Sequence, residues 1–347
     1  MKKILIIGGA GFIGINSARY FIKKGWNITI LDNLSRPGTK YNLDTLRKEN
    51  IGKFEFKKAD IRTDTKILEN FVKKHDAVLH LAAQVAVTTS IVDPRNDFET
   101  NALGTFNVLE AVRKSKNKPV LLYSSTNKVY GSLPQFPVIT QGNRYAFKDK
   151  KIRSRGISEN IQLDFHSPYG CSKGVADQYV VDYSRIYGLK TVVFRQSCIY
   201  GEYQMGVEDQ GWVAWFAIAA MFGKKITVFG TGKQVRDLLY VGDLVRLYEA
   251  AIKNINKVSG QAFNVGGGPQ NTLSITECFE ILNKKLNVQI NPLKGKTRAG
   301  DQPIFIADIS KAYKMLGWKP IISIDVGIDR MISWIKRNQK IIKKICK

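Results

Sequence analysis

Along the first 200 residues, short apolar runs alternate with longer stretches whose apolar positions recur every three or four residues. The runs at 3–7, 27–31, 53–58, 76–80, 119–123 and 190–195 read as strands. The helical period covers 12–24, 64–74, 94–116 and 168–187. This alternation predicts parallel βαβ units with right-handed crossovers. Past residue 196 the order loosens, and short strands at 226–229 and 262–265 mix with helices near 210–222, 242–253, 274–286 and 324–345. The pattern divides the chain into residues 1–196 and 197–347, with the strand at 262–265 returning late to the first part. The final basic, amphipathic stretch from Trp334 is expected to pack on its own domain rather than lie on a membrane.

Composition adds exclusions. With 347 residues, 44% hydrophobic and 24% charged, the chain can bury a large core and is not disordered. It has no apolar run of bilayer length, and Ile4-Leu5-Ile6-Ile7 leads into glycines rather than a cleavage site, so a cytoplasmic protein is expected. Four cysteines and three histidines are scattered without a CxxC, which argues against a metal site or a disulfide framework. The formal charge of +25 raises nucleic-acid binding as a candidate function. The lysines fall at helix ends and in loops, with no helix-turn-helix, zinc-finger or RNP pattern. They read as a solvated surface whose field draws in small polyanions.

Gly8-Gly9-Ala10-Gly11-Phe12-Ile13-Gly14 joins the first strand to the first helix. Gly8 permits the tight turn, Gly11 lets a pyrophosphate approach the backbone, and Gly14 lets the helix pack on the sheet. Asp32 ends the second strand, where an acid accepts from an adenosine ribose and repels a 2′-phosphate; NAD is therefore expected over NADP, although Arg36 stands nearby. Asp60 and Ile61 after the third strand, and Leu81, Ala82 and Ala83 after the fourth, complete a cofactor edge. The expected fold is a Rossmann-type doubly wound parallel sheet (α/β) with a smaller mixed α/β C-terminal substrate-binding part.

Tyr169 and Lys173 stand at i and i+4, on one helix face. A phenol with a pKa near 10 is a poor base at neutral pH, and an adjacent ammonium together with a positive nicotinamide ring is expected to lower it. The pair then forms a general acid–base for a sugar hydroxyl. The fifth strand ends in Ser124-Ser125-Thr126, and the Thr126 hydroxyl is expected to hydrogen-bond the same substrate oxygen.

The GxxGxxG loop, the strand-end Ser-Ser-Thr and Tyr169-xxx-Lys173 resemble the extended short-chain dehydrogenase/reductase family of nucleotide-sugar epimerases and dehydratases, over nearly the whole chain. The stretches Gln84–Ile91, Ser124–Gly131, Leu163–Lys173, Asp209–Trp212 and Gly232–Asp237 are similar to a branch of 2-epimerases within it. Their likeness implies a tightly held NAD, a CDP-linked dideoxyhexose substrate inverted at C2 through a transient ketone, and a homo-oligomer, dimer or tetramer. It also implies cofactor contacts at Phe12, Ile13, Asn33, Asn101 and Ser124, and substrate contacts at Thr88, Thr126, Asn127 and Gln210. Arg236 and Arg298 match positions that bind substrate phosphates, where a guanidinium clamps a pyrophosphate. The segment from Pro134 to Ser158 departs most from the family pattern. In the family's 4,6-dehydratases an Asp and a Glu follow the Thr; Asn127 and Lys128 cannot move those protons. A 4-epimerase is the closer alternative, and a dinucleotide-binding sensor with nucleic-acid affinity a more distant one.

Overall fold

The computed structural model describes residues 2–298 and 300–346. Strands β1 (Lys3–Ile7), β2 (Asn27–Asp32), β3 (Phe54–Lys58), β4 (Ala77–His80) and β5 (Val120–Thr126) join Thr191–Gln196 and Gln261–Val265 in one parallel sheet. The order across it is Gln261–Val265, Thr191–Gln196, β5, β4, β1, β2, β3. Strand order therefore turns back at β1, and the crevice at the carboxyl ends of β1 and β4 is where such sheets bind ligands. Side chains alternate across the sheet. In β1, Ile4 and Ile6 enter one core and Leu5 and Ile7 the other, which is why the run is apolar throughout.

The first core runs on into the C-terminal half, through Val213, Leu238, Leu244 and Trp334. Helix Val241–Lys253 packs on α1 (Phe12–Lys23). A second sheet is built around Val235–Tyr240, which pairs in parallel with Cys198–Tyr200 and Ile304–Phe305 and antiparallel with Thr272–Ser274. Thr227–Phe229 pairs instead with Leu293–Gly295.

The structure departs from the sequence pattern at several points. The helix expected over 324–345 breaks at Asn338, whose side chain donates to the Trp334 carbonyl (2.8 Å) and accepts from the Tyr41 hydroxyl (2.5 Å). The helix expected over 94–116 starts with Pro94 and contains a wide π turn at Glu99–Leu103. Helices Thr39–Lys48 and Val87–Val92 lie in stretches to which the sequence pattern assigns no element, and Pro134–Ser158 folds as a hairpin (Val138–Gln141 with Arg144–Phe147) followed by helix Lys150–Arg155. Ile335 and Ile342 of the last two helices are fully buried, so this basic end packs on the protein. Among the described residues no helix is long and apolar enough to cross a membrane.

Candidate active site

A cleft of about 510 Å³ opens along the carboxyl ends of β1, β4 and β5. At its floor, a Cβ on Gly8 would come within 2.6 Å of the Ala82 nitrogen, and one on Gly14 within 2.4 Å of the Gly8 carbonyl. These two glycines let loop, helix and β4 touch. Gly11 differs: its nearest neighbour would be 3.3 Å away, and it caps α1 without a side-chain hydrogen bond. The first N–H groups of the helix therefore face the cleft, a fit for a dinucleotide pyrophosphate.

Asp32 closes the loop by accepting from the Ala10 nitrogen (3.0 Å) and the Leu34 nitrogen (2.8 Å). Burial raises its pKa and those two bonds hold it back. The Asn33 amide donates to Asp60 (3.0 Å), and Arg62 binds Asp60 through both carboxylate oxygens, holding it down at about 2. Asp60 thus braces Asn33 and Arg62 at the β2–β3 end of the cleft instead of standing free.

Phe12, Ile13, Ile61, Leu81, Ala82, Ala83 and Ser124 line the same cleft, as do Thr88, Thr126, Asn127, Tyr169, Lys173, Gln210, Arg236 and Arg298. Asn101 does not. It is 1% exposed, and its amide is bonded to both backbone polar atoms of Gln84, to Asp97 and to Ser172. A side chain so engaged is a clamp between segments rather than the expected cofactor contact.

Tyr169 lies near the start of helix Ser167–Tyr187, held by its backbone N–H on Ser90 Oγ (3.1 Å). The pair's electrostatics show what the protein's own residues contribute. Lys173 donates to the Ser124 carbonyl (2.5 Å) and sits 4.3 Å from the centre of the Tyr123 ring. Burial pushes the Lys173 ammonium down to about 7. Burial likewise pushes the Tyr169 phenol up to about 12, and a hydrogen bond with Thr126 offsets only part of that. The protein's own residues do not produce the lowered phenol, because desolvation outweighs them.

At the substrate end Arg236 pairs with Asp301 and Arg298 with Asp209, both at 2.7 Å, and the Arg298 guanidinium stacks 3.8 Å from the Phe229 ring centre. Arg36 reaches across the cleft to Gln210 (2.7 Å). Asn127 donates to Gln302 (3.0 Å). Side-chain oxygens of Asn42, Thr88, Gln204 and Gln234 are buried in this wall without a partner among the described residues. Unpaired buried acceptors favour a hydroxyl- and amide-rich ligand.

Sequence reasoning missed the bracing behind Tyr169 and Lys173. Asp177, one turn beyond Lys173, forms a buried ion pair with Arg195 (2.9 Å) and accepts from Ser125 (2.7 Å). Arg195 also donates to the Tyr130 hydroxyl (3.0 Å). This network fixes the helix to β5 and to Thr191–Gln196. Its one visible signal is an arginine inside an otherwise apolar strand, since a buried charge needs a partner. Ser172 to Asp97 (2.5 Å) ties the helix's other face.

Comparison with known proteins is consistent with this geometry. The chain is 45% identical over 338 residues to CDP-paratose 2-epimerase of Salmonella typhi, covering 96% of this chain and 98% of the relative. It is 34% identical to a putative UDP-glucose 4-epimerase of Methanocaldococcus jannaschii, covering 97% and 99%. Among solved structures, UDP-glucose 4-epimerase of Thermotoga maritima with UDP-glucose superposes with a TM-score of 0.82 at 29% identity, covering 97% and 99%. UDP-glucuronic acid 4-epimerase of Bacillus cereus, in complex with UDP-glucuronic acid and NAD, gives 0.82 at 27%, covering 96% and 99%. The model of the NAD dependent epimerase/dehydratase family matches residues 4–266. A glycine loop, an acid-ended second strand and a buried tyrosine–lysine pair on one sheet edge belong with that match: the chain is a member of the NAD dependent epimerase/dehydratase family, with NAD as its cofactor.

Proposed function

We propose that the chain is a cytoplasmic 2-epimerase of a CDP-linked dideoxyhexose, interconverting CDP-paratose and CDP-tyvelose through a transient keto-sugar. The observation that carries this reading is the 45% identity, over nearly the full length of both chains, to the Salmonella typhi 2-epimerase. Tyr169 exchanges the proton of the reacting hydroxyl, Thr126 hydrogen-bonds that oxygen, and Lys173 orients the pair from beneath. When bound, NAD supplies the acceptor and donor of hydride and a positive ring charge beside the phenol. The first turn of α1 and Asp32 hold the dinucleotide. Arg236 and Arg298 bind the sugar nucleotide's phosphates, and Thr88, Asn127 and Gln210 the remainder, while the sugar turns its other face. A homo-oligomer is part of this proposal: Phe98, Leu103, Phe106, Tyr179 and Ile186 form an exposed apolar face on two neighbouring helical segments.

A 4-epimerase is the second reading, favoured by the two superposed structures, both 4-epimerases. Two substrate samples, one deuterated at C2 and one at C4, separate the readings. The 2-epimerase returns the label to C2 of the inverted product with little exchange into water. Retention of an untouched C2 label with transfer at C4 assigns the 4-epimerase; wash-out defeats both, because it requires deprotonation next to a carbonyl.

A further inference from the structure

The turn after Thr126 carries a cation that the reading above leaves without a task. Lys128 lines the cleft and its ammonium bonds the Gly300 carbonyl (3.2 Å). Its backbone lies against the start of the catalytic helix, since a Cβ on Gly170 would be 3.4 Å from the Lys128 carbonyl oxygen. Gly300 in turn sits beside Val87 and Ser167, next to Thr88 and Tyr169. Consecutive residues then join this corner to the substrate end: Asp301 holds Arg236 (2.7 Å) and Gln302 holds Asn127 (3.0 Å). Lys128 therefore stands between the catalytic pair and the two arginines. Arg236 and Arg298 each have a carboxylate partner, whereas Lys128 has a neutral carbonyl. Burial, with the Arg236 charge beside it, pushes its ammonium down to about 8, and Asp301 restores only part. A half-buried cation in the cleft wall whose bonded partner is a carbonyl, while the nearby Asp301 is engaged by Arg236, is a receptor for an anion.

Sugar chemistry says which anion. In a nucleotide sugar the phosphate hangs on C1. C2 is its neighbour, and C4 lies across the ring. An enzyme that brings C2 to Tyr169 and Thr126 must also accommodate the sugar-side phosphate beside that pair, where a 4-epimerase places only sugar hydroxyls. We infer that Lys128 binds the sugar-side (β) phosphate next to the catalytic pair and thereby selects C2 as the reacting carbon. The choice of C2 rests on the function proposed above; the phosphate contact does not.

The test compares nucleoside di- and monophosphates, which differ by the phosphate in question. Competitive inhibition by CDP and by CMP, repeated with UDP and UMP, is measured on the NAD-loaded enzyme and on K128M, K128Q and K128R. The expected result is a loss of about tenfold or more in diphosphate affinity for K128M and K128Q, with monophosphate affinity within about twofold and K128R near wild type. Lys128→Gln can still donate to Gly300, so it gives the same readout if K128M does not fold. An unchanged ratio of diphosphate to monophosphate affinity overturns the proposal, including the case where both weaken together because Lys128 only ties the loop. Transfer of label at C4 instead would defeat the 2-epimerase reading, and the affinity ratio would still decide the phosphate contact.

Discussion

Tyr169 and Lys173 show what it takes to keep acid–base groups in a dry cleft. Lys173 is 3% exposed, and burial sets its pKa at about 7 against 10.5 for the free side chain. Across that window the unfolded chain holds a proton that the folded chain has released. Stability contributed by this site therefore rises with pH from about 7 upward, and is lost as the folded protein must carry the buried charge below it. Lys173→Met removes the titration. The expected outcome is a flatter dependence of the melting midpoint on pH between about 6 and 9 than in wild type, with turnover abolished; an identical slope in both proteins would mean that the ammonium is not desolvated. Tyr169→Phe keeps the ring and removes the proton carrier. Its turnover should fall by roughly a hundredfold or more while nucleotide binding persists.

At the scale of elements, the glycine loop separates folding from binding. Gly14 touches the Gly8 carbonyl, so Gly14→Ala forces the helix off the loop and should lower the melting midpoint by several degrees. Gly11→Ala meets only the Gly8 carbonyl, at 3.3 Å and with extended backbone at φ −70° and ψ 176°, so a small shift of the loop admits it and its melting midpoint should fall less than that of Gly14→Ala. It places a methyl at the mouth of the helix, so nucleotide released on denaturation should be NAD from wild type and largely absent from Gly11→Ala. A normal NAD content in that variant would show that the pyrophosphate does not approach there. Elements like these were legible because the inner strands of the parallel sheet are short apolar runs, the edge strand Phe54–Lys58 alternates phenylalanine with charge, and the loop has fixed spacing. The strands of the second sheet were not: Cys198–Tyr200, Thr272–Ser274 and Ile304–Phe305 have three residues or fewer, and their pairing is set by distant partners. The Val138–Phe147 hairpin was hidden for a related reason. Its exposed edge is polar, and Arg144 is held by Thr272 and Glu277, more than a hundred residues away. The cleft residues were largely legible as motifs. The engagement of Asn101 and the upward push of burial on the Tyr169 phenol were not legible, because hydrogen-bond partners and desolvation belong to the folded molecule.

Across the whole molecule, two surfaces need different explanations. The +25 charge needs no partner macromolecule, since the positive field of the whole surface already speeds capture of a dianionic sugar nucleotide. The apolar face is another matter. Phe98 is 54% exposed and Ile186 62%, and the Phe106 ring meets Tyr179 edge-on at 6.0 Å, so large side chains are arranged together in solvent without a covering element. Such a patch on a surface otherwise crowded with lysine marks an interface, and like-charged copies associate only where burial outweighs their repulsion. The face includes the helix that carries the site, since Tyr179 and Ile186 follow Tyr169 and Lys173 on it, and Phe98 and Leu103 flank Asn101, which bonds Ser172 of that helix. Association through it would stiffen the helix bearing the catalytic pair. Phe106→Glu, at a position 39% exposed, should leave the fold intact and shift the mass measured by light scattering to that of a monomer, more completely at low salt where repulsion is unscreened. A wild-type monomer at micromolar concentration, or an unchanged oligomer in Phe106→Glu, would mean that the copies do not meet on this face.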